Sequence, residues 1–256
     1  MAYTAFSVGF PGSADIQFAQ RYCVEYGIPH QIVYLNREDI VRDVLPTIDA
    51  VETFEAINIM DGCVISPLFR AVHEAGIKVA LMGDGSDELL AGYDFFKTYQ
   101  DPDYLMTYRL FNLYRTDLQR IDRSSMRYGV TVRFPFLDQE FVSFAYHVPM
   151  TLKLRNNVEK WILRAALEGE LPDYILHRPK VRMPDGSGLK YTLIEFARQQ
   201  KTEGISQLLA TRLQLNDAEE TYFLEQYLKL GYPEPQERYK KVGLDYSPNG
   251  YFDFIT

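Results

Sequence analysis

Three short apolar runs stand out along the chain, at residues 3–10, 30–35 and 77–82. Each is rich in Val, Ile and aromatic side chains and is bounded by turn residues, so each predicts a strand. Between the first two, apolar positions fall at Ile16, Phe18, Ala19, Tyr22, Cys23 and Tyr26. That spacing is one face of a helix over residues 13–26. Ser13 is placed to cap it, Gly27 to end it, and Pro29 to block its return. Further helices are expected over 37–51 and 67–74. Strands alternating with helices predict a parallel sheet with crossover helices.

After Gly92 the strand signal fades. Residues 104–114, 118–128, 139–147, 158–167 and 189–198 suit helices, separated by loops bearing Pro135, Pro149, Pro172 and Pro184. There is no internal repeat. The pattern therefore reads as an α/β part over 1–100, a helical part of the same domain over 101–230, and a tail over 231–256 rich in Tyr, Pro and Gly. Ligands in open α/β sheets bind beyond the carboxyl ends of the strands. Two loops lie there: Gly9-Phe10-Pro11-Gly12-Ser13 and Gly83-Asp84-Gly85-Ser86-Asp87-Glu88.

Composition narrows the function classes. A chain of 256 residues, 46% hydrophobic and 24% charged, suits one substantial globular core. The net charge is 27 − 35 = −8, which disfavours nucleic acid but leaves room for a local basic pocket. Cys23 and Cys63 lack metal-ligand spacing and read as reduced thiols of a cytoplasmic protein. No charged-then-apolar leader opens the chain, and no apolar run nears the ~20 residues that span a bilayer.

The second loop carries the chemistry. Glycines on either side of Asp84 allow a tight turn and close approach of a ligand to the backbone. Ser86 can cap the following helix, whose N–H groups suit an anion. Asp84, Asp87 and Glu88 beside a phosphate would call for a cation, and Mg2+ suits oxygen ligands. The alternative is an ordinary helix start, where acidic residues favour the first turn.

Met82-Gly83-Asp84-Gly85-Ser86-Asp87-Glu88-Leu89-Leu90-Ala91-Gly92-Tyr93 resembles the S-G-[ED]-G-[SG]-D-E-x-x-x-G-Y signature of the asparagine synthetase family. Phe6-Ser7-Val8-Gly9-Phe10-Pro11-Gly12-Ser13 is similar to its F-x-V-G-x-P-G-S segment. Asp122-Arg123-Ser124-Ser125-Met126 and Val132-Arg133-Phe134-Pro135-Phe136-Leu137-Asp138 are similar to its D-R-x-S-M and V-R-x-P-F-L-D segments. Lys160 to Leu163 fit K-x-x-L-R, and Arg178-Pro179-Lys180 with Asp185-Gly186-Ser187-Gly188 resemble a later loop. These matches follow the family's order over roughly residues 3–200.

The resemblance implies an adenine-nucleotide alpha-hydrolase-like (PP-loop ATP pyrophosphatase) sheet. It implies adenylation of a carboxylate by ATP with Mg2+, then attack by ammonia, giving asparagine from aspartate in the family. By position it assigns Val8, Gly83 and Gly85 to the nucleotide. Asp84 is assigned to deprotonating ammonium, Asp87 and Glu88 to Mg2+, and Lys180 to pyrophosphate. Asn58, Met60 and Asp61 fall in the substrate segment. For Arg133 the residues suggest a structural ion pair with Asp138 or Asp122, and for Tyr93 core packing with a polar tip.

Three departures qualify the match. The S-G-G-x-D-S phosphate loop is not among these residues, so the sheet is expected to be truncated at its first strand. Ala2 follows Met1 where a glutaminase domain would need cysteine. Met60 replaces an arginine that would meet an anionic substrate. The expectation is an amide-forming synthetase working with a partner polypeptide that carries the phosphate loop and glutaminase, or in a homo-oligomer that covers exposed sheet edges. The alternatives are an inactive nucleotide-binding homologue and an enzyme forming amides or lactams from another acid.

Overall fold

The first apolar run becomes strand β1 (Ala5–Gly9) in the computed structural model, which describes residues 3–236. Helix α1 (Ala14–Glu25) carries the chain to β2 (His30–Tyr34), which pairs with β1 in parallel, from Ala5 opposite His30 to Gly9 opposite Tyr34. Ser13 takes the cap position of α1, but its hydroxyl makes no capping bond. Helix α2 (Arg37–Val51) is capped by Asn36, whose side chain accepts from the Asp39 N–H at 2.8 Å.

Helix α3 (Ala56–Glu74) is far longer than the expected 67–74, and Pro67 lies inside it. Proline removes one helical hydrogen bond. Burial offsets that loss, because every residue from Ile57 to Pro67 is buried. A helix buried all round shows no polar face, so no stripe in the sequence marks it.

The chain continues through β3 (Val79–Leu81), α4 (Ser86–Leu89), α5 (Pro102–Leu113), α6 (Gln119–Met126), β4 (Thr131–Arg133), α7 (Gln139–His147), α8 (Met150–Lys153) and α9 (Trp161–Ala166). It ends in α10 (Asp173–Leu176), α11 (Met183–Gly186), α12 (Leu189–Gln199), α13 (Gln207–Arg212) and α14 (Ala218–Lys229). A π-helical turn, Tyr114–Leu118, joins α5 to α6.

The single parallel sheet expected from the three apolar runs is corrected. β1 pairs with β2, and β3 pairs instead with β4. Thr131 N–H donates to the Lys78 carbonyl and Met82 N–H to the Arg133 carbonyl, so both strands advance together and this pair is also parallel. The architecture is mixed α/β, mostly helical with small parallel sheets. β4 escaped the pattern reading because three residues carry no usable period.

The described residues form two compact units. The first is the described part of Met1–Lys78, Gln119–Thr131 and Arg182–Thr256; the second is Val79–Leu118 with Val132–Val181. In the first, Ile40, Val44 and Ile48 of α2, Met60 and Val64 of α3, Leu193 of α12 and Phe223 of α14 share one apolar core. Asp61 of α3 and Arg120 of α6 form a buried ion pair there, Oδ2 to Nε at 2.9 Å. Cys23 and Cys63 are free and buried, and burial pushes the Cys63 thiol up to about 12.

In the second unit, Leu89 and Leu90 pack with Ala145, Leu137, Phe141 and Ile162. Lys153 of α8 is fully buried, with Nζ 2.9 Å from Met106 Sδ. Burial lowers its pKa to about 8, with Asp103 pulling the other way. Among the described residues no helix is long and apolar enough to cross a membrane. The tail expected from 231 onward lies, from residue 237, outside the described residues.

Candidate active site

The Gly83–Gly85 stretch turns the chain from β3 into α4. Gly85 holds φ 91° at the cap position of α4. A Cβ there would come 2.3 Å from Leu137 Cδ2, so the close approach of the 3-10 turn Pro135–Leu137 requires glycine. Because Gly85 takes the cap position, Ser86 is not the cap that the sequence predicts. Its hydroxyl donates to the Gly83 carbonyl at 2.8 Å and accepts from Lys160 Nζ at 2.9 Å. Helix α4 has only four residues. The positive field at this loop therefore comes from side chains rather than from a helix N-terminus.

Asp87 is the centre of that field. Lys160 Nζ lies 2.7 Å from Oδ1 and Lys180 Nζ 2.9 Å from Oδ2. Burial works to raise the Asp87 pKa, but Lys180 and Lys160 overcome it and hold the carboxyl below its usual range. Burial lowers the Lys160 pKa, with Asp87 opposing. Two ammonium groups thus flank one carboxylate at the edge of solvent, where they can also meet phosphate oxygens. Asp87 and the lysines retain 13%, 18% and 30% side-chain exposure, so the cluster reaches solvent.

The surroundings fix these groups. Gly92 donates its N–H to the Asp87 carbonyl, and a Cβ on Gly92 would fall 2.0 Å from Asp87 Oδ1 and 2.4 Å from Lys160 Cε. Lys160 sits at φ 52°, a left-handed conformation uncommon outside glycine and often found at functional sites. Glu159 accepts from Lys97 at 3.0 Å, from Arg164 at 2.8 Å and from the Lys180 N–H at 3.4 Å.

Glu88 faces elsewhere. It is 2% exposed, accepts from the Tyr93 hydroxyl at 2.8 Å and from Arg109 Nη2 at 3.1 Å. Burial raises its pKa, with Asp117 adding and Arg109 opposing. Glu88 is enclosed and its Oε1 takes both donors, whereas Asp87, the other carboxylate expected at Mg2+, keeps contact with solvent. No group of three or more metal-binding side chains occurs among the described residues. Mg2+ keeps water and phosphate oxygens and needs few protein ligands; Asp87 meets solvent but holds a lysine ammonium on each oxygen, so it fits Mg2+ only in exchange for one of them.

The second unit thus brings together Asp87, Lys180, Gly83 and Gly85, with Asp84 half-buried in the same loop. It adds Lys160, which the sequence offered only inside K-x-x-L-R. Tyr93 has the polar tip expected of it. Arg133 is exposed on β4 and pairs with neither Asp138 nor Asp122 among the described residues; Asp138 instead caps α7. Val8, Asn58, Met60 and Asp61 belong to the first unit. Val8 lies on β1 opposite Val33. On α3, Asn58 is 0% exposed with neither amide atom hydrogen-bonded among the described residues, Met60 packs in the core, and Asp61 holds Arg120.

The family model described as asparagine synthase matches residues 2–104 and 97–244. Asparagine synthetase B [glutamine-hydrolyzing] of Escherichia coli is 31% identical over 243 residues, covering 90% of this chain and 43% of that relative. Asparagine synthetase [glutamine-hydrolyzing] of Gallus gallus is 28% identical over 89% of this chain and 43% of its own length. Asparagine synthetase [glutamine-hydrolyzing] 2 of Lotus japonicus is 30% identical over 72% of this chain and 33% of its own length. The chain therefore spans less than half the length of these relatives.

Proposed function

Because the chain belongs to the asparagine synthase family, we propose that it takes part in ATP-dependent amide formation. ATP adenylates a carboxylate with release of pyrophosphate, and ammonia then displaces AMP. The observation that carries this reading is Asp87 held between Lys160 and Lys180 at 2.7 and 2.9 Å beside the Gly83–Gly85 turn.

The two lysines stabilise charge that develops on phosphate oxygens as pyrophosphate leaves. Asp87 keeps both ammonium groups oriented, and in exchange for one of them it is the carboxylate that would hold Mg2+, whose chemistry is to neutralise phosphate charge. Asp84 accepts a proton from ammonium, which predominates over ammonia at neutral pH. The nucleotide roles of Val8, Gly83 and Gly85 rest on the resemblance, as does the PP-loop fold. The Ser-Gly-Gly-x-Asp-Ser loop and the ammonia source are assigned to residues outside these 256, on a partner polypeptide or elsewhere in a longer one.

Exchange of labelled pyrophosphate into ATP tests the proposal, with this chain, a polypeptide bearing that loop, Mg2+ and a panel of acids. Acid-dependent exchange that disappears in Lys180→Met supports it. Absence of exchange with every acid overturns it in favour of a nucleotide-binding homologue.

An acid other than aspartate is the second reading, and Met60 favours it. Of the three α3 positions assigned to substrate, none is cationic, Met60 is committed to the core and Asp61 to Arg120. A second carboxylate on the substrate has no evident partner at these positions. The same acid panel decides: aspartate as the best substrate removes this reading.

A further inference from the structure

Asp117 lies outside every motif that the site supplies, yet both ends of the Asp87–Lys180 pair lead back to it. It sits on the π-helical turn Tyr114–Leu118 and is 8% exposed. Its Oδ2 accepts from Arg109 Nη2 at 3.1 Å and from Thr116 Oγ1 at 2.7 Å. The same hydroxyl lies 3.2 Å from the Asn112 carbonyl, so its single proton is shared between two acceptors, with the shorter contact to Asp117. Residues eight apart fall about 80° from one another around a regular α-helix. The slower winding of the π turn brings Asp117 back towards Arg109 on α5.

Two routes run from Arg109 to the exposed pair. Along one, Arg109 Nη2 bonds Glu88, which is next to Asp87 on the single turn of α4. Along the other, the guanidinium lies 5.2 Å from the centroid of the Tyr93 ring, and Lys180 Nζ lies 5.6 Å from the same centroid. The Tyr93 hydroxyl closes the network on Glu88 at 2.8 Å. Both cation–ring contacts are within the range that gives attraction.

We propose that Asp117 is a positioning residue for the phosphate-facing pair, setting Arg109 and through it the orientation of Lys180 against Asp87. In catalysis this rests on the reading given under Proposed function; the geometry it asserts can be measured without any nucleotide. Asp117 touches no reacting group, and its effect passes through Arg109, Glu88 and Tyr93.

Pulse labelling of the whole chain with acetic anhydride, read by peptide mass spectrometry, reports how firmly each lysine is held. Asp117→Asn should raise labelling of Lys180 about 3- to 10-fold, the factor that loss of one hydrogen bond allows. Lys190, which pairs with Asp185 in the first unit, should be unchanged. Asp117→Glu should restore part of the protection, and where exchange is measurable the KM for pyrophosphate should rise more than kcat falls. A folded Asp117→Asn chain with wild-type Lys180 labelling overturns the proposal. If labelling rises at all lysines, the fold itself has loosened. Thr116→Val then carries the test, because it removes one hydrogen bond that orients the Asp117 carboxylate while keeping charge and volume. A rise confined to Lys180 supports the proposal, and no rise overturns it. A wild-type chain that never supports exchange but shows this labelling pattern refutes the synthetase reading alone.

Discussion

Each unit buries an arginine against carboxylate, and the two arrangements differ in what they join. In the first unit Arg120 meets Asp61 in the interior, at 2.9 Å, with side chains 8% and 4% exposed. In the second, Arg109 meets both Glu88 and Asp117 through the same nitrogen, Nη2, at 3.1 Å each. The first arrangement joins the core helices α3 and α6. The second is joined, through Tyr93 and α4, to Asp87 and two partly exposed lysines. A buried pair among core helices serves the interior where it sits. One that continues to solvent bears on what can approach from outside.

The largest effect should separate the two in opposite currents. Asp61→Ala leaves Arg120 buried without Asp61 and should cost about 3–5 kcal/mol in denaturant unfolding. A loss below about 1 kcal/mol would show that the first pair is dispensable and break the contrast. Lys180→Met should do the reverse. Pyrophosphate exchange should fall about 10²- to 10³-fold, the scale for losing one group that stabilises transition-state charge, while the unfolding midpoint stays near wild type.

Lys153 sharpens the comparison, being a buried cation whose Nζ meets a thioether rather than a carboxylate. Its pKa is lowered from 10.5 to about 8 by burial. Below about pH 8 the amine is charged in both folded and unfolded chains, and the folded state bears the whole penalty. Between about 8 and 10.5 the unfolded chain binds more protons, so stability rises with pH in that window. Lys153→Met should gain about 1–3 kcal/mol at pH 7 and lose that rise, as read from unfolding curves across the window. The smallest effect is expected from Tyr93→Phe, which removes one hydrogen bond to Glu88 and should cost about 1 kcal/mol.

Local signals were legible where one stretch of chain decides its own conformation. Helices α2 and α7 begin and end at the residues the pattern predicts, 37–51 and 139–147. Helix α3 was cut short because Pro67 is a strong local breaker and the compensating burial is not local. Helix α14 was missed although Asp217 and Glu220 form a capping box that the sequence displays. At the site, the Gly83 to Glu88 stretch announces acidic chemistry, but not which carboxylate faces solvent. Asp87 and Glu88 are neighbours, and only the fold sends one to Lys180, 93 positions away, and the other to Arg109. Lys160 lacked any signal beyond a motif match, since its left-handed backbone belongs to the folded loop rather than to residue type.

The interleaving of the two units governs how the chain can acquire its structure. The boundaries after Lys78, Leu118, Thr131 and Val181 mean that the backbone leaves one unit for the other four times. Neither unit can finish folding from one continuous stretch, and the first must wait for residues beyond Val181. Such long-range closure slows folding and lengthens the time that unpaired apolar surface stays exposed. A chain stopped near residue 100 during synthesis would hold parts of both units and the whole of neither. Sensitivity to truncation is the expected consequence of the order in which the residues emerge.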